Sequence, residues 1–290
     1  MSRILNRRHA LGAAAAMWAG FEGLPVAMAD TSPAAAGGAA ALDPLLTYRK
    51  MHFRSDDGLV FWWLQGIKYG QVDATLTPLY NSSIGTLQRI KYRPDGGFDV
   101  TQLEMNVMLD LATGEPLESW RNPYTNEVLP VRLSPVGPTV TRYGADNVRV
   151  LPKEIGGTPL EATATVHPPS IVADDVFQRD ESVARVFTPG RAKPFEVNDI
   201  AMYHGSVADL KNPKTTVGAA TVFFAEVTGW QRWMNMGDRP GGLTSRMFGR
   251  KVRRYEDLPA QWRANLARVA PKIAADPIAA LDAPAARFER

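Results

Sequence analysis

The stretch from Asp110 to Val131 constrains the fold more than any other in the chain. It holds two turn signatures, Ala112-Thr113-Gly114-Glu115-Pro116 and Asn122-Pro123-Tyr124-Thr125-Asn126, around a short extended run, Leu117 to Trp120. Gly and Asn adopt turn conformations that cost other residues, and each Pro fixes φ and withdraws a donor. Two reversals this close together demand consecutive antiparallel strands. The run leading in, Phe98 to Leu111, is the most regular alternation in the sequence. Leu103, Met105, Val107, Leu109 and Leu111 share one face at period two. The other face carries Gln102, Glu104 and Asn106, which suits either a solvent face or the polar lining of a barrel interior.

The rest of the chain repeats this grammar. Leu59 to Leu64 is continuous apolar and aromatic sequence, as in a strand covered on both faces. Ile67–Val72 and Thr75–Tyr80 flank Asp73-Ala74 and read as a hairpin, with a further strand over Ile84–Tyr92. Short β-rich runs follow, separated by turn residues, up to Phe195–Val207 and Thr215–Thr228. Gly229 to Gly249 mixes aromatics, methionines and arginines with glycines and Pro240, which prevent one long regular element. A helix enters late, after Pro259, with Trp262, Leu266 and Val269 on one face. The expected architecture is mainly β: a single antiparallel β-barrel or strongly bent sheet, calycin-like, with a C-terminal helix.

The first residues read as an address. Arg7-Arg8 precede a short, weakly apolar run, Ala10 to Phe21, and Ala27-Met28-Ala29 offers a small-residue cleavage site. Residues 1–29 are therefore expected to be a signal peptide of the twin-arginine type and the protein periplasmic, although Ala10 stands where such signals usually carry Phe. The apolar run is too short to span a bilayer, so no stable membrane insertion is expected after cleavage. Residues 30–41, DTSPAAAGGAAA, form an Ala/Gly/Pro linker, and 42–290 a single β-rich domain.

The chain has no cysteine, which excludes thiol nucleophiles, Cys-ligated metals and disulfide staples. Its net charge of +3 falls to +1 once the three arginines and one glutamate of the signal are removed. That near-neutral balance gives no electrostatic reason to expect nucleic acid. The densest basic run, Arg250-Lys251-Val252-Arg253-Arg254, reads as a solvated strand end.

Several motifs resemble one family. Val60-Phe61-Trp62-Trp63, Thr77-Pro78-Leu79-Tyr80, Asp110-Leu111-Ala112-Thr113-Gly114-Glu115, Asn122-Pro123-Tyr124-Thr125, and Trp233-Met234-Asn235-Met236-Gly237-Asp238 with Gly249-Arg250-Lys251 occur in order across nearly the whole mature chain. Together they resemble the bacterial family catalogued as domain of unknown function eighteen-thirty-eight. Asn126 stands where that family more often has Gly, and Asn tolerates the same left-handed turn. The resemblance implies export and carries no catalytic residue across.

Chemistry must then come from the residues themselves. His52, His167 and His204 never approach a metal-ligand spacing, and no phosphate-cradling Gly-rich loop follows a strand, so no metal or cofactor is expected. No G-x-S-x-G elbow is present. Glu104 and Glu226 sit on the two best strands, where a paired-carboxylate mechanism would need them. A barrel of this size can enclose one small aromatic or hydrophobic molecule. The expected catalytic residues are His204 and Glu104 as proton shuttles and Arg121 as an oxyanion holder. Trp120, Asn122, Tyr124, Tyr203, Trp230 and Trp233 are the expected binding residues. The function so reached is a cofactor-independent lyase, isomerase or hydrolase. The alternative is a non-catalytic, lipocalin-like periplasmic binder. A buried carboxylate or histidine with a strongly perturbed pKa inside the cavity favours the enzyme, and a wholly apolar cavity favours the binder.

Overall fold

The structure, a computed structural model, describes residues 42–131, 135–151, 153–155, 158–190 and 193–283. The expected signal and linker lie outside the described residues. Among the described residues fourteen strands dominate: β1 (Gly58–Val72), β2 (Thr75–Tyr92), β3 (Phe98–Leu109), β4 (Ser119–Arg121), β5 (Val128–Pro130), β6 (Val136–Tyr143), β7 (Arg149–Val150), β8 (Glu154–Ile155), β9 (Thr158–Val166), β10 (Ser170–Val172), β11 (Asp175–Val186), β12 (Phe195–Ser206), β13 (Thr221–Thr228) and β14 (Gly242–Val252). Helices α1 (Pro44–His52), α2 (Val207–Lys211), α3 (Ala260–Val269) and α4 (Pro271–Ala275) accompany them.

The bent sheet is the expected one. Its strands run in the order β7-β6-β3-β2-β1-β14-β13-β12-β11-β9-β8, with β10 added beside β11. Every pairing is antiparallel, and the sheet curls into a half-barrel. Among the described residues its two ends do not join. The pair β4–β5 forms a separate ribbon.

The hairpin turn at Asp73-Ala74 is present, with Asp73 at φ 51°. The strands on either side are longer than their sequence suggests, because Gln65-Gly66 and the Asn81–Ser83 run continue the ladder. Gly66 is in the strand for clearance. A Cβ there would lie 2.0 Å from the Arg246 carbonyl oxygen of the neighbouring strand.

Both faces of β3 are covered, which resolves its two readings. Leu103, Met105 and Val107 face the convex side, under Trp262 and Leu266 of α3. Gln102 and Glu104 face the concave side and are equally buried. Gly85 of β2 lies beneath α3, where a Cβ would meet Trp262 Cζ2 at 2.1 Å. Trp262 is 1 % exposed and packs in the cluster with Leu103 and Met105. Gly85→Ala is therefore expected to cost roughly 2–3 kcal/mol, the usual range for overpacking, seen as a lower urea midpoint at unchanged m-value.

At one end of the concave face sits α1. Asp43 caps it, its carboxylate accepting from the amides of Leu45 (2.9 Å) and Leu46 (3.2 Å), with Pro44 in the first turn. Its C-terminal carbonyls meet a cation from the far end of the chain. Lys251 of β14 donates to the carbonyls of Met51 (2.7 Å), Phe53 (3.1 Å) and Lys50. Those carbonyls have no intrahelical partner and carry the negative end of the helix dipole. Lys251 is thus turned inward, whereas its basic neighbours Arg250 and Arg254 are exposed. The basic run is a solvated strand end only in part.

Candidate active site

Cross-strand register sets a polar row across the concave face: Lys68 opposite Ser245, Ser245 opposite Glu226, Glu226 opposite Asp199, and Asp199 opposite Ser182. The curl of the sheet brings Glu104 of β3 towards the same row. Lys68 pairs with Glu226, which also accepts from Ser245 Oγ at 3.0 Å. Three carboxyls thus share one ammonium in a desolvated space. Burial, then the neighbouring Glu226, pushes the Glu104 carboxyl up to about 8, against the pull of Lys68. Asp199 is raised well above the carboxylate range by burial and by Glu226. At neutral pH Glu104 is held mainly as the neutral acid, and Asp199 is biased the same way.

A second polar group lies between α1 and β11. His52 is 4 % exposed, stacked on Tyr48 with ring centroids 4.2 Å apart and tilted against Tyr203 at 3.9 Å. The amide group of Gln178 donates to the His167 carbonyl (3.2 Å), which turns Gln178 Oε1 towards His52 Nε2 at 3.1 Å. That oxygen only accepts, so Nε2 carries the proton and Nδ1 presents its lone pair. Facing Nδ1 at 3.4 Å is Asp180 Oδ2. Burial pushes the Asp180 carboxyl up to about 7, with Arg149 pulling it back. Burial pulls the His52 imidazole well below its usual value. The two shifts are opposed, and together they favour a proton on the Asp180 carboxyl and a neutral imidazole.

Between the two groups is a cavity of about 50 Å³. Phe53, Val100 and Phe224 give it apolar walls, and Tyr143, Arg149 and Tyr203 line one side. Partly exposed Thr165 and Glu181 stand at its mouth. At ~12 Å³ for each water, the volume accommodates about four waters, enough for the polar end of a guest that enters by the mouth. Three buried acceptors on its lining, Asp180 Oδ1, Asp199 Oδ1 and Gln88 Oε1, have no partner among the described residues. Such groups are costly to leave unpaired, so the cavity selects a guest that brings hydrogen-bond donors. No group of three metal-ligating side chains occurs among the described residues.

The family model described as "Protein of unknown function (DUF1838)" matches residues 57–287. The chain belongs to this family. No curated protein and no solved structure matches it. In this DUF1838 member two motifs that carry the family likeness meet in space. Asn122, fully buried, donates from Nδ2 to the Met234 carbonyl at 2.8 Å, and its Oδ1 accepts from the Tyr124 amide at 2.9 Å.

Around that contact lie most of the aromatics expected to bind ligand. Trp120 donates to the Leu79 carbonyl (3.2 Å) and packs on Trp233, while Tyr124 packs on Trp230. With Met234 and Met236 they form one cluster fastening the β4–β5 ribbon to the sheet. None of them lines the cavity. Arg121, on the ribbon, is exposed and donates to Asn126 Oδ1 at 3.0 Å. His204 points away from the concave face, pairs with Asp175 at 2.7 Å and stacks on Phe177. Its neighbour at i+2, Ser206, caps α2. Of the expected residues, Glu104 and Tyr203 reach the concave interior. Tyr203 lines the cavity, and Glu104 lies in the carboxyl row beside it. His52, Asp180, Arg149 and Asp199 were not singled out. One sign was available: Gln178, Asp180 and Ser182 alternate along β11 just as Gln102, Glu104 and Asn106 do along β3.

No helix among the described residues is long and apolar enough to cross a membrane.

Proposed function

We propose that the protein is a cofactor-independent acid–base enzyme, a lyase or isomerase, acting on a single-ring aromatic or similarly small apolar molecule that bears a hydroxyl or enolisable group. One observation carries this reading. Asp180 lines the cavity, sets one oxygen 3.4 Å from His52 Nδ1 and leaves the other without a partner among the described residues. A proton taken from the guest at Oδ1 is balanced by one passed from Oδ2 to His52, and the reverse step returns it to another atom of the guest. Such exchange is served by a carboxyl whose pKa lies near the working pH, which is where burial places Asp180. The 3.4 Å separation is long for a hydrogen bond, and catalytic contacts of this kind commonly tighten when substrate binds. Arg149, at the cavity wall, is positioned to hold the oxyanion that proton loss creates.

A carrier would want an interior without unpaired acceptors or displaced pKa values, so the polar lining favours catalysis over storage. The periplasmic address expected from the N-terminus suits an enzyme acting on imported or secreted small molecules. The test is deuterium exchange by NMR: 2-hydroxyacetophenone and hydroxyacetone, each with a hydroxyl donor and an enolisable carbon, are incubated with the mature protein in D2O and loss of the α-proton signal is followed. Asp180→Asn, which keeps the shape of a neutral carboxyl, is expected to slow exchange at least about 100-fold at unchanged or higher melting temperature. No exchange by the parent protein, or equal exchange by the variant, overturns the proposal.

A further inference from the structure

On the convex side of the sheet, a second cleft of about 350 Å³ lies between β1, β2 and the start of α3. It is several-fold larger than the concave cavity and falls within the size range of small-molecule sites. Trp63 and Gln65 of β1 line it, on the face opposite Trp62 and Leu64.

Two residues that line this cleft carry buried donors without a partner among the described residues, Trp262 Nε1 and Asn265 Nδ2. Asn265 is 5 % exposed, and its Oδ1 is already engaged by Gln261 Nε2 at 3.1 Å, which leaves the NH2 group to be satisfied from the cleft. Trp63 donates its own Nε1 to Ser83 Oγ at 3.2 Å and therefore offers the cleft an indole ring alone. The remaining polar groups are neutral amides, Gln65 and Asn81 among them. The single charged lining residue, Glu115, is held by Arg268 at 3.0 Å.

We infer that this cleft binds a neutral polyhydroxylated ring, a monosaccharide or one sugar unit of a longer glycan. Its lining offers no cation to an anionic guest and no free carboxylate to a cationic one. A purely apolar guest would leave Trp262 Nε1 and Asn265 Nδ2 unpaired, at a cost of about 1–3 kcal/mol each. A hydroxyl both accepts and donates, so one class of group satisfies the indole and amide donors and the amide oxygens alike. The less polar C–H face of a pyranose ring then packs on the Trp63 indole. The inference is independent of the reaction proposed for the concave side.

Titration of the mature protein with D-glucose, D-galactose and D-mannose, followed by tryptophan fluorescence and calorimetry, tests it. Saturable binding of at least one sugar is expected. Trp262→Phe, which keeps a ring and removes the donor, should weaken that binding roughly two- to tenfold. Gln65→Leu, on a strand rather than the helix, tests the same wall if Trp262→Phe does not fold. Asp180→Asn should leave sugar affinity unchanged, which separates this site from the acid–base one. Absence of a saturable response to all three sugars, or undiminished affinity in a folded Trp262→Phe or Gln65→Leu protein, overturns the inference.

Discussion

Lys68→Met is expected to destabilise the protein by about 3–5 kcal/mol, the range for removing one partner of a buried ion pair. Lys68 is 5 % exposed, and its ammonium faces Glu226 directly and influences Glu104 and Asp199. Without it, three carboxyls share a desolvated space with no compensating charge from this side chain. The loss should be largest at high pH, where Glu104 ionises beside Glu226, and shrink on acidification. The double variant Lys68→Met/Glu226→Met should recover most of the loss, since apolar replacement of a whole buried pair is commonly neutral or stabilising. Denaturant unfolding of the two variants measures both effects. Equal destabilisation of single and double variants would show that the pair acts through packing rather than charge.

The second large effect is on pH dependence. Folding raises the Glu104 carboxyl from 4.5 to about 8. Between those values the native state keeps a proton that the unfolded chain releases. Stability from this group is therefore complete below 4.5 and declines as pH rises towards about 8. Gln cannot ionise, so Glu104→Gln removes the decline. The variant should match the parent near pH 4 and exceed it by on the order of 3 kcal/mol at pH 8 and above. Other groups shape the absolute curve: Asp180 and Asp199 act in the same direction as Glu104, and His52 acts in the opposite one. The difference between variant and parent isolates Glu104. A constant difference across the range would mean that Glu104 is already ionised in the native protein.

The sheet was legible because period-two alternation and turn chemistry are local properties. β3, the Asp73-Ala74 hairpin and the late helix all follow from residues within a few positions of one another. The site was legible only where one strand declared it. Glu104 stood out because Gln102 and Asn106 flank it at period two, and β3 does line the interior. His204 and Arg121 suggested chemistry by type and by proximity to turns, but sequence does not reveal which side of a sheet becomes concave. For β12 that choice turns Tyr203 inward and His204 outward. His52 was harder still. It ends a short helix whose place under the sheet is fixed by Lys251, almost the whole domain away. No local pattern encodes that meeting. The aromatics around Asn122 misled for another reason: turn-rich aromatic sequence serves equally to bind a guest or to fasten a ribbon, and here it fastens one.

The pairing of β1 with β14 has a bearing on how the chain is made. As the polypeptide leaves the ribosome, β1 emerges early and can zip to β2, yet its other flank stays open until Gly242–Val252 has been synthesised. α1 likewise waits for Lys251 to neutralise its carbonyl end. A nascent chain that must hold an unzipped, aromatic-rich flank for so long is exposed to mispairing with its neighbours, so its biogenesis favours completion of the whole sheet in one step over stepwise assembly from the N-terminus.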